Sequence, residues 1–249
     1  PQDPEILNNY AVFLCRRGQA PRGEKMFLQA AANPLYRTHA LIGERVVSEG
    51  PRYQVLDPAN EQVIAEVSSC GAREVSEAVE AAERAQREWA RELPKARSRL
   101  LRRWFELIEA HRAPLAELIT LESGKPLAEA LGEVSYGASF VEWFAEEARR
   151  AYGELIPSFG RGRRLITTKA PVGVVAAITP WNFPLLLASW KLAPALAMGN
   201  TIILKPASLT PTTAVKFGEI CLEAGLPPGV VNILTGPGDA VGMGLVRHP

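Results

Sequence analysis

The sequence predicts an α/β protein whose second half carries a parallel β-sheet, and three observations predict it. Residues 172–178, 201–204 and 230–234 are continuous apolar runs, the pattern of strands covered on both faces. Between them, residues 185–198 and 211–224 repeat apolar side chains at helical spacing. The second of these stretches is punctuated at both ends: Thr210 takes the N-cap position, Pro211 the first helical position, Gly225 lies just past the end, and Pro227-Pro228 follows. Strand, helix, strand, helix, strand in succession gives a parallel sheet with helices on its faces.

The elements before that sheet read differently. Residues 5–32 have helical spacing, with Tyr10, Ala11, Leu14, Gly23, Phe27 and Ala30 on the packing side and a break at Gly18. Those intervals suit the tetratricopeptide helix pair and an amphipathic helical hairpin of no special family equally well. In wording, "LNNYAVFLCRRGQ" and "MFLQAAANPLYRT" resemble a repeat of the tetratricopeptide proteins of type IV pilus assembly. This resemblance covers residues 1–38, and one such repeat cannot bury its own face. The expected division is therefore a helical hairpin at 1–38 and a second region at 39–249, with the change of character reading as a join between unrelated segments. From Leu41, "LIGERVV" and "YQVLDPANEQVIAEV" alternate as short strands around Asp57-Pro58 and Ala59-Asn60, predicting a small β-hairpin region. Three helices follow. Val75, Ala78, Val79, Ala82, Ala85 and Trp89 mark the face of the first, and Leu100, Trp104, Leu107 and Ile108 that of the second, which Pro114 restarts after His111. The third carries Leu127, Leu131, Val134, Ala138, Val141, Phe144 and Ala148. All three stripes read as core.

Composition narrows the function classes. Lys plus Arg number 28 against 27 Asp plus Glu, so no broad footprint for nucleic acid or an anionic membrane is expected. Arg161, Arg163 and Arg164, set among Gly160 and Gly162, read as a solvated turn. No apolar run reaches the roughly 18 residues of a membrane helix and no secretory signal opens the chain, which predicts a cytoplasmic protein. Cys15, Cys70 and Cys221 give neither a disulfide framework nor a zinc-binding pair. The chain begins Pro1-Gln2-Asp3 and its first methionine is Met26, so its N-terminus reads as other than a natural start.

In an open parallel sheet, ligands sit beyond the carboxyl ends of the strands. Three segments fall there: "TPWNFP" at 179–184, Lys205-Pro206-Ala207-Ser208, and Thr235-Gly236-Pro237-Gly238. Asn182 carries an amide able to donate to a developing oxyanion, with flanking prolines to hold it. The other reading is a side chain closing an Asx-turn, and spacing alone favours it. Lys205 suits ribose hydroxyls or a phosphate, and equally suits plain solvation. A G-x-G-x-x-G fingerprint would need glycine where Val241 stands, and Asp239 sets a negative charge at the next helix start.

Together "TPWNFP", "ILKPAS" and "VVNILTGPG" make residues 41–249 resemble the N-terminal half of the aldehyde dehydrogenase superfamily, in that family's order and at similar spacing. The resemblance implies a partial Rossmann-like sheet binding NADP or NAD. It implies that Ile178, Thr179, Pro180 and Trp181 lie along the nicotinamide cofactor and that Asn182 helps hold the substrate carbonyl oxygen. Lys205, with Pro206, Ala207 and Ser208, would face the adenosine ribose, and Gly238 the adenosine half. NAD-preferring relatives often have glutamate at the position of Ser208, whose charge repels the extra phosphate of NADP; a neutral serine implies that NADP is accepted at least as well as NAD. "LITLESGKPLAEALGEVSYGASFVEWFAEEARRAYGE" is similar to the succinate-semialdehyde dehydrogenase group, yet that group's arginine for the substrate carboxylate is replaced in "LLLASWK" by Trp190, which resembles betaine-aldehyde and broad-specificity relatives. Succinate semialdehyde and betaine aldehyde or another aminoaldehyde are the expected substrates, and a homo-oligomer with an intersubunit hairpin at residues 154–171 is the expected assembly. The family's nucleophilic cysteine and water-activating glutamate belong to segments that would follow Pro249, so the chain alone is expected to be an inactive fragment. The alternative is a helical-repeat interaction module of pilus assembly with a dehydrogenase-like passenger.

Overall fold

The structure is a computed structural model that describes residues 36–47 and 49–249. The helical hairpin expected at 1–38 lies outside the described residues save for its last three, Tyr36–Thr38, which form a strand, β1. β1 runs parallel to β5 (Val63–Ser68), whose other side pairs antiparallel with β4 (Arg52–Leu56). The turn between β4 and β5 forms where Asp57-Pro58 and Ala59-Asn60 predicted it: the Asp57 carboxylate accepts from the Ala59 N–H at 2.8 Å.

Among the described residues the main sheet has five strands, in the order β3 (Arg45–Val47), β2 (Ala40–Ile42), β10 (Val231–Ile233), β9 (Thr201–Lys205) and β8 (Val174–Ile178). β8, β9 and β10 are parallel neighbours. β2 and β3 extend the sheet antiparallel beyond β10. The sequence placed this hairpin in a separate small β region. It joins the main sheet because Ala40, Leu41 and Ile42 are all buried, so no solvent face exists to leave free. Buried Asn232 fastens it: its side-chain oxygen accepts from the Gly43 N–H at 2.9 Å and its amide donates to the Gly229 carbonyl at 2.8 Å.

β8 corrects a second expectation. Ala176 and Ile178 are exposed and Val172 lies outside the strand, although the run 172–178 looked like a strand covered on both faces. β9 and β10 are covered throughout. Among the described residues β8 has one neighbour, β9, and an edge position is invisible to periodicity.

α1 (Ala72–Trp89) packs on the sheet, its Val75, Ala78 and Ala82 sharing a core with Ile203 and Leu234, while α2 (Pro94–Ala110), α3 (Arg112–Ser123) and α4 (Leu127–Glu147) share a second core with α5 (Leu186–Ala197) and α6 (Pro211–Glu223). The expected break at His111 separates α2 from α3, and the His111 ring bonds the Leu107 carbonyl at 2.8 Å as a helix-end residue. Fully buried Trp104 meets Phe217 with ring centroids 4.7 Å apart, joining α2 to α6. Gly137 lets α4 approach α5: a Cβ there would lie 2.4 Å from the Leu185 side chain and 3.0 Å from the Ser189 hydroxyl. Among the described residues β6 (Glu154–Ile156) and β7 (Leu165–Thr167) pair only with each other, and both are exposed throughout. After β10 a five-residue π-helical turn, Gly238–Gly242, leads into the short α7 (Met243–Arg247).

Candidate functional site

The carboxyl ends of the three parallel strands stop level with one another. Ile178 stands opposite Lys205, and Leu204 opposite Ile233. Past those pairs the Thr179 N–H donates to the Lys205 carbonyl at 3.1 Å, and the Leu234 N–H to the Leu204 carbonyl at 2.9 Å. The Ser208 hydroxyl donates to the Gly236 carbonyl at 2.8 Å, tying the second loop to the third. The sheet edge thus brings together Ile178, Thr179, Pro180 and Trp181 with Lys205, Pro206, Ala207 and Ser208, and sets Gly238 two residues beyond the Gly236 contact. Val241, where the glycine fingerprint fails, is fully buried in the core.

Exposure along this edge is uneven in a useful way. Trp181 is 56% exposed and Ile178 45%, while Thr179 and Lys205 are each 4% exposed. An apolar pair open to solvent beside buried polar groups is the composition of a small-molecule cleft. The buried Thr179 hydroxyl has no partner among the described residues. Burial alone lowers the pKa of the Lys205 ammonium, and no carboxylate among the described residues offsets it. Beside Trp181 and Ser208 opens a cavity of about 460 Å³, walled by Leu56, Pro58, Glu122 and Thr210. A cavity of about 620 Å³ between α2 and α4 contains none of the expected site residues.

Asn182 is exposed, and the one side-chain hydrogen bond it takes part in among the described residues is at its backbone carbonyl, so the Asx-turn that spacing favoured is not formed. Its carbonyl is engaged instead: the Lys125 ammonium donates to it at 2.9 Å and sits 3.9 Å from the centre of the Phe183 ring. Lys125 also pairs with Glu133. Glu133 in turn accepts from the Leu185 and Leu186 N–H groups at 3.0 and 3.2 Å, capping α5 from α4. Behind the second loop the arrangement repeats. Thr210 holds the N-cap position of α6 but makes no capping bond, and its hydroxyl has no partner among the described residues. Glu122 of α3 caps that helix, accepting from the Thr212 N–H at 2.8 Å, the Thr213 N–H at 3.1 Å and the Thr212 hydroxyl. Burial pushes its carboxyl up to about 7 against the pull of these donors. Lys125, Glu122 and Glu133 were missed by sequence reasoning. The signal for the two glutamates was present: each falls on a buried helical stripe, Leu115, Leu118, Glu122 and Ala130, Glu133, Gly137.

Trp190 is 42% exposed and packs on Phe140, which packs on Tyr136, with ring centroids 5.3 Å apart in each pair. The described cysteines offer no nucleophile. Burial raises the Cys70 thiol to about 11 and also holds the Cys221 thiol well above its usual range. Among the described residues no cluster of His, Cys, Asp or Glu could hold a metal ion, and no helix is long and apolar enough to cross a membrane.

The chain is 49% identical over 217 residues to the NADP(+) succinate-semialdehyde dehydrogenase GabD of Escherichia coli (strain K12), a match covering 86% of this chain and 45% of that enzyme. It is 46% identical over 217 residues to the mitochondrial succinate-semialdehyde dehydrogenase of Arabidopsis thaliana, covering 86% of this chain and 41% of that protein. Among solved structures, an aldehyde dehydrogenase from Brucella melitensis biovar abortus 2308 superposes with a TM-score of 0.83 at 46% identity, covering 85% of this chain and 44% of that one. The chain spans less than half the length of these relatives. With residues 46–249 matching the model of the aldehyde dehydrogenase family, the chain belongs to that family.

Proposed function

We propose that the chain forms the cofactor side of an NADP-accepting aldehyde dehydrogenase, which oxidises an aldehyde to a carboxylic acid by hydride transfer to the nicotinamide. The observation that carries this reading is the sheet edge, where an exposed Trp181, a buried Lys205 and a neutral Ser208 converge. Lys205 would donate to ribose hydroxyls. Pro180 and Trp181 would lie along the nicotinamide half, and Gly238, with open space where a Cβ would be, along the adenosine half. Asn182 would donate to the substrate oxygen as charge builds on it. The two described thiols do not supply the attacking thiolate, so the chain by itself is expected to form no NADPH from any aldehyde.

The relatives' names favour a semialdehyde, whereas the aromatic stack of Trp190, Phe140 and Tyr136 presents rings where a carboxylate would need a cation. Succinate semialdehyde and betaine aldehyde or another aminoaldehyde both remain on that basis, and paired kcat/KM values separate them. The exposed β6–β7 hairpin, with Leu155, Phe159 and Ile166 open to solvent, supports a homo-oligomer, because unpaired strand edges call for a partner. The reduced, buried Cys70 and Cys221 suit a cytoplasmic setting.

Paired titrations with NADP and NAD test the reading. Wild-type chain should bind NADP at least as tightly as NAD, and Ser208→Glu should weaken NADP about tenfold relative to NAD by placing a carboxylate beside the extra phosphate. A strong preference of the wild type for NAD sinks it.

A further inference from the structure

We propose that Lys125, held by Glu133, is a positioning residue for Asn182: the pair clamps the loop of residues 179–184 to the start of α5 and so sets the direction of the Asn182 side chain. The use of that direction rests on the function proposed above; the clamp itself rests on geometry.

Pro180 and Pro184 fix their own φ angles, which leaves residues 181–183 as the adjustable part of the loop. That part is open to solvent, with Trp181 56% and Phe183 40% exposed, so packing does little to hold it. The Lys125 ammonium makes the one side-chain hydrogen bond to residues 180–183 among the described residues, to the Asn182 carbonyl. A donor at that carbonyl fixes the peptide plane between Asn182 and Phe183, and with it the backbone angle that aims the Asn182 side chain. The same ammonium lies 3.9 Å from the Phe183 ring centre, closing the loop from a second side.

The clamp is itself rigid. The Lys125 side chain is only 12% exposed and that of Glu133 1%, an uncommon depth for a lysine. One Glu133 oxygen takes the lysine, and the other takes the Leu185 and Leu186 N–H groups. Lys125 follows Gly124, a left-handed helix end (φ 71°) where a Cβ would lie 3.0 Å from the Pro58 ring, so the β4–β5 turn comes close to the chain just before the lysine. A lysine offers three donors that can serve carboxylate, carbonyl and ring at once. A contact meant only for stability would need no reach to the carbonyl of Asn182.

The test labels the chain with 5-fluorotryptophan and follows its five tryptophans by fluorine NMR, assigned with Trp→Phe variants. Lys125→Met should shift or broaden the Trp181 resonance, leave Trp89 and Trp104 in place, and weaken NADP binding about five- to tenfold. Lys125→Arg should restore part of the Trp181 position. If Lys125→Met does not fold, Lys125→Met with Glu133→Gln removes the stranded charge and gives the same readout. An unmoved Trp181, or all five resonances moving together, overturns the clamp. A wild-type chain that binds no NADP would sink the proposed function while leaving the fluorine comparison of wild type and variants to decide the clamp.

Discussion

Two buried glutamates do the same mechanical task with different partners. Glu133 caps α5 behind the Asn182 loop, and Glu122 caps α6 behind the Lys205–Ser208 loop; each reaches across from an earlier helix to a helix start that follows a site loop. Among the described residues Glu133 is given a lysine, Glu122 only hydroxyl and backbone donors. With a cation in place, the first cap is an ion pair that also grips its loop. Without one, burial lifts the second carboxyl to about 7. A helix N-terminus favours negative charge in both places, but the desolvation cost is offset by a counter-charge in only one.

Breaking the first cap should cost most. Glu133→Leu strands the Lys125 ammonium and leaves the Leu185 and Leu186 N–H groups unpaired, an expected loss of about 3–5 kcal/mol in urea denaturation. A loss under about 1 kcal/mol would mean that water replaces the cap. The second cap is sharpened by pH. A carboxyl whose folded pKa lies above its unfolded value of 4.5 contributes fully below that value and loses its contribution as pH rises towards about 7. The stability of the wild type relative to Glu122→Gln should therefore fall by about 3 kcal/mol between pH 4.5 and 7.5, and a flat difference would place the carboxyl pKa near its ordinary value. Smallest is Phe183→Leu, which removes the ring under Lys125 and keeps the ion pair. A loss of about 0.5–1 kcal/mol is expected, and none at all would show that the ring contact is incidental.

The same contrast shows what the sequence could and could not reveal. The parallel strands, α5 and α6 were legible because their apolar runs and punctuation are local; Gly225, with φ 92°, closes α6 where expected. The loops at the sheet edge were legible because strand ends are. Edge placement of β8 and the pairing of β2 with β10 were not, since both depend on neighbours distant in the chain. Thr210 read as the cap of α6 because capping rules look a few residues away, whereas the carboxylate that caps it comes from Glu122. By spacing alone, without the family resemblance, Asn182 read as a turn residue for a similar reason: nothing local shows that Lys125 takes its carbonyl.

The proposed dinucleotide site is the common edge of β8, β9 and β10, with Lys205 as its buried donor. Calorimetric titration of the chain with NADP, run beside Lys205→Met, tests it most directly. Saturable binding to the wild type that weakens at least tenfold in Lys205→Met is the predicted result. Equal binding by both, or none by a folded wild type, would contradict it.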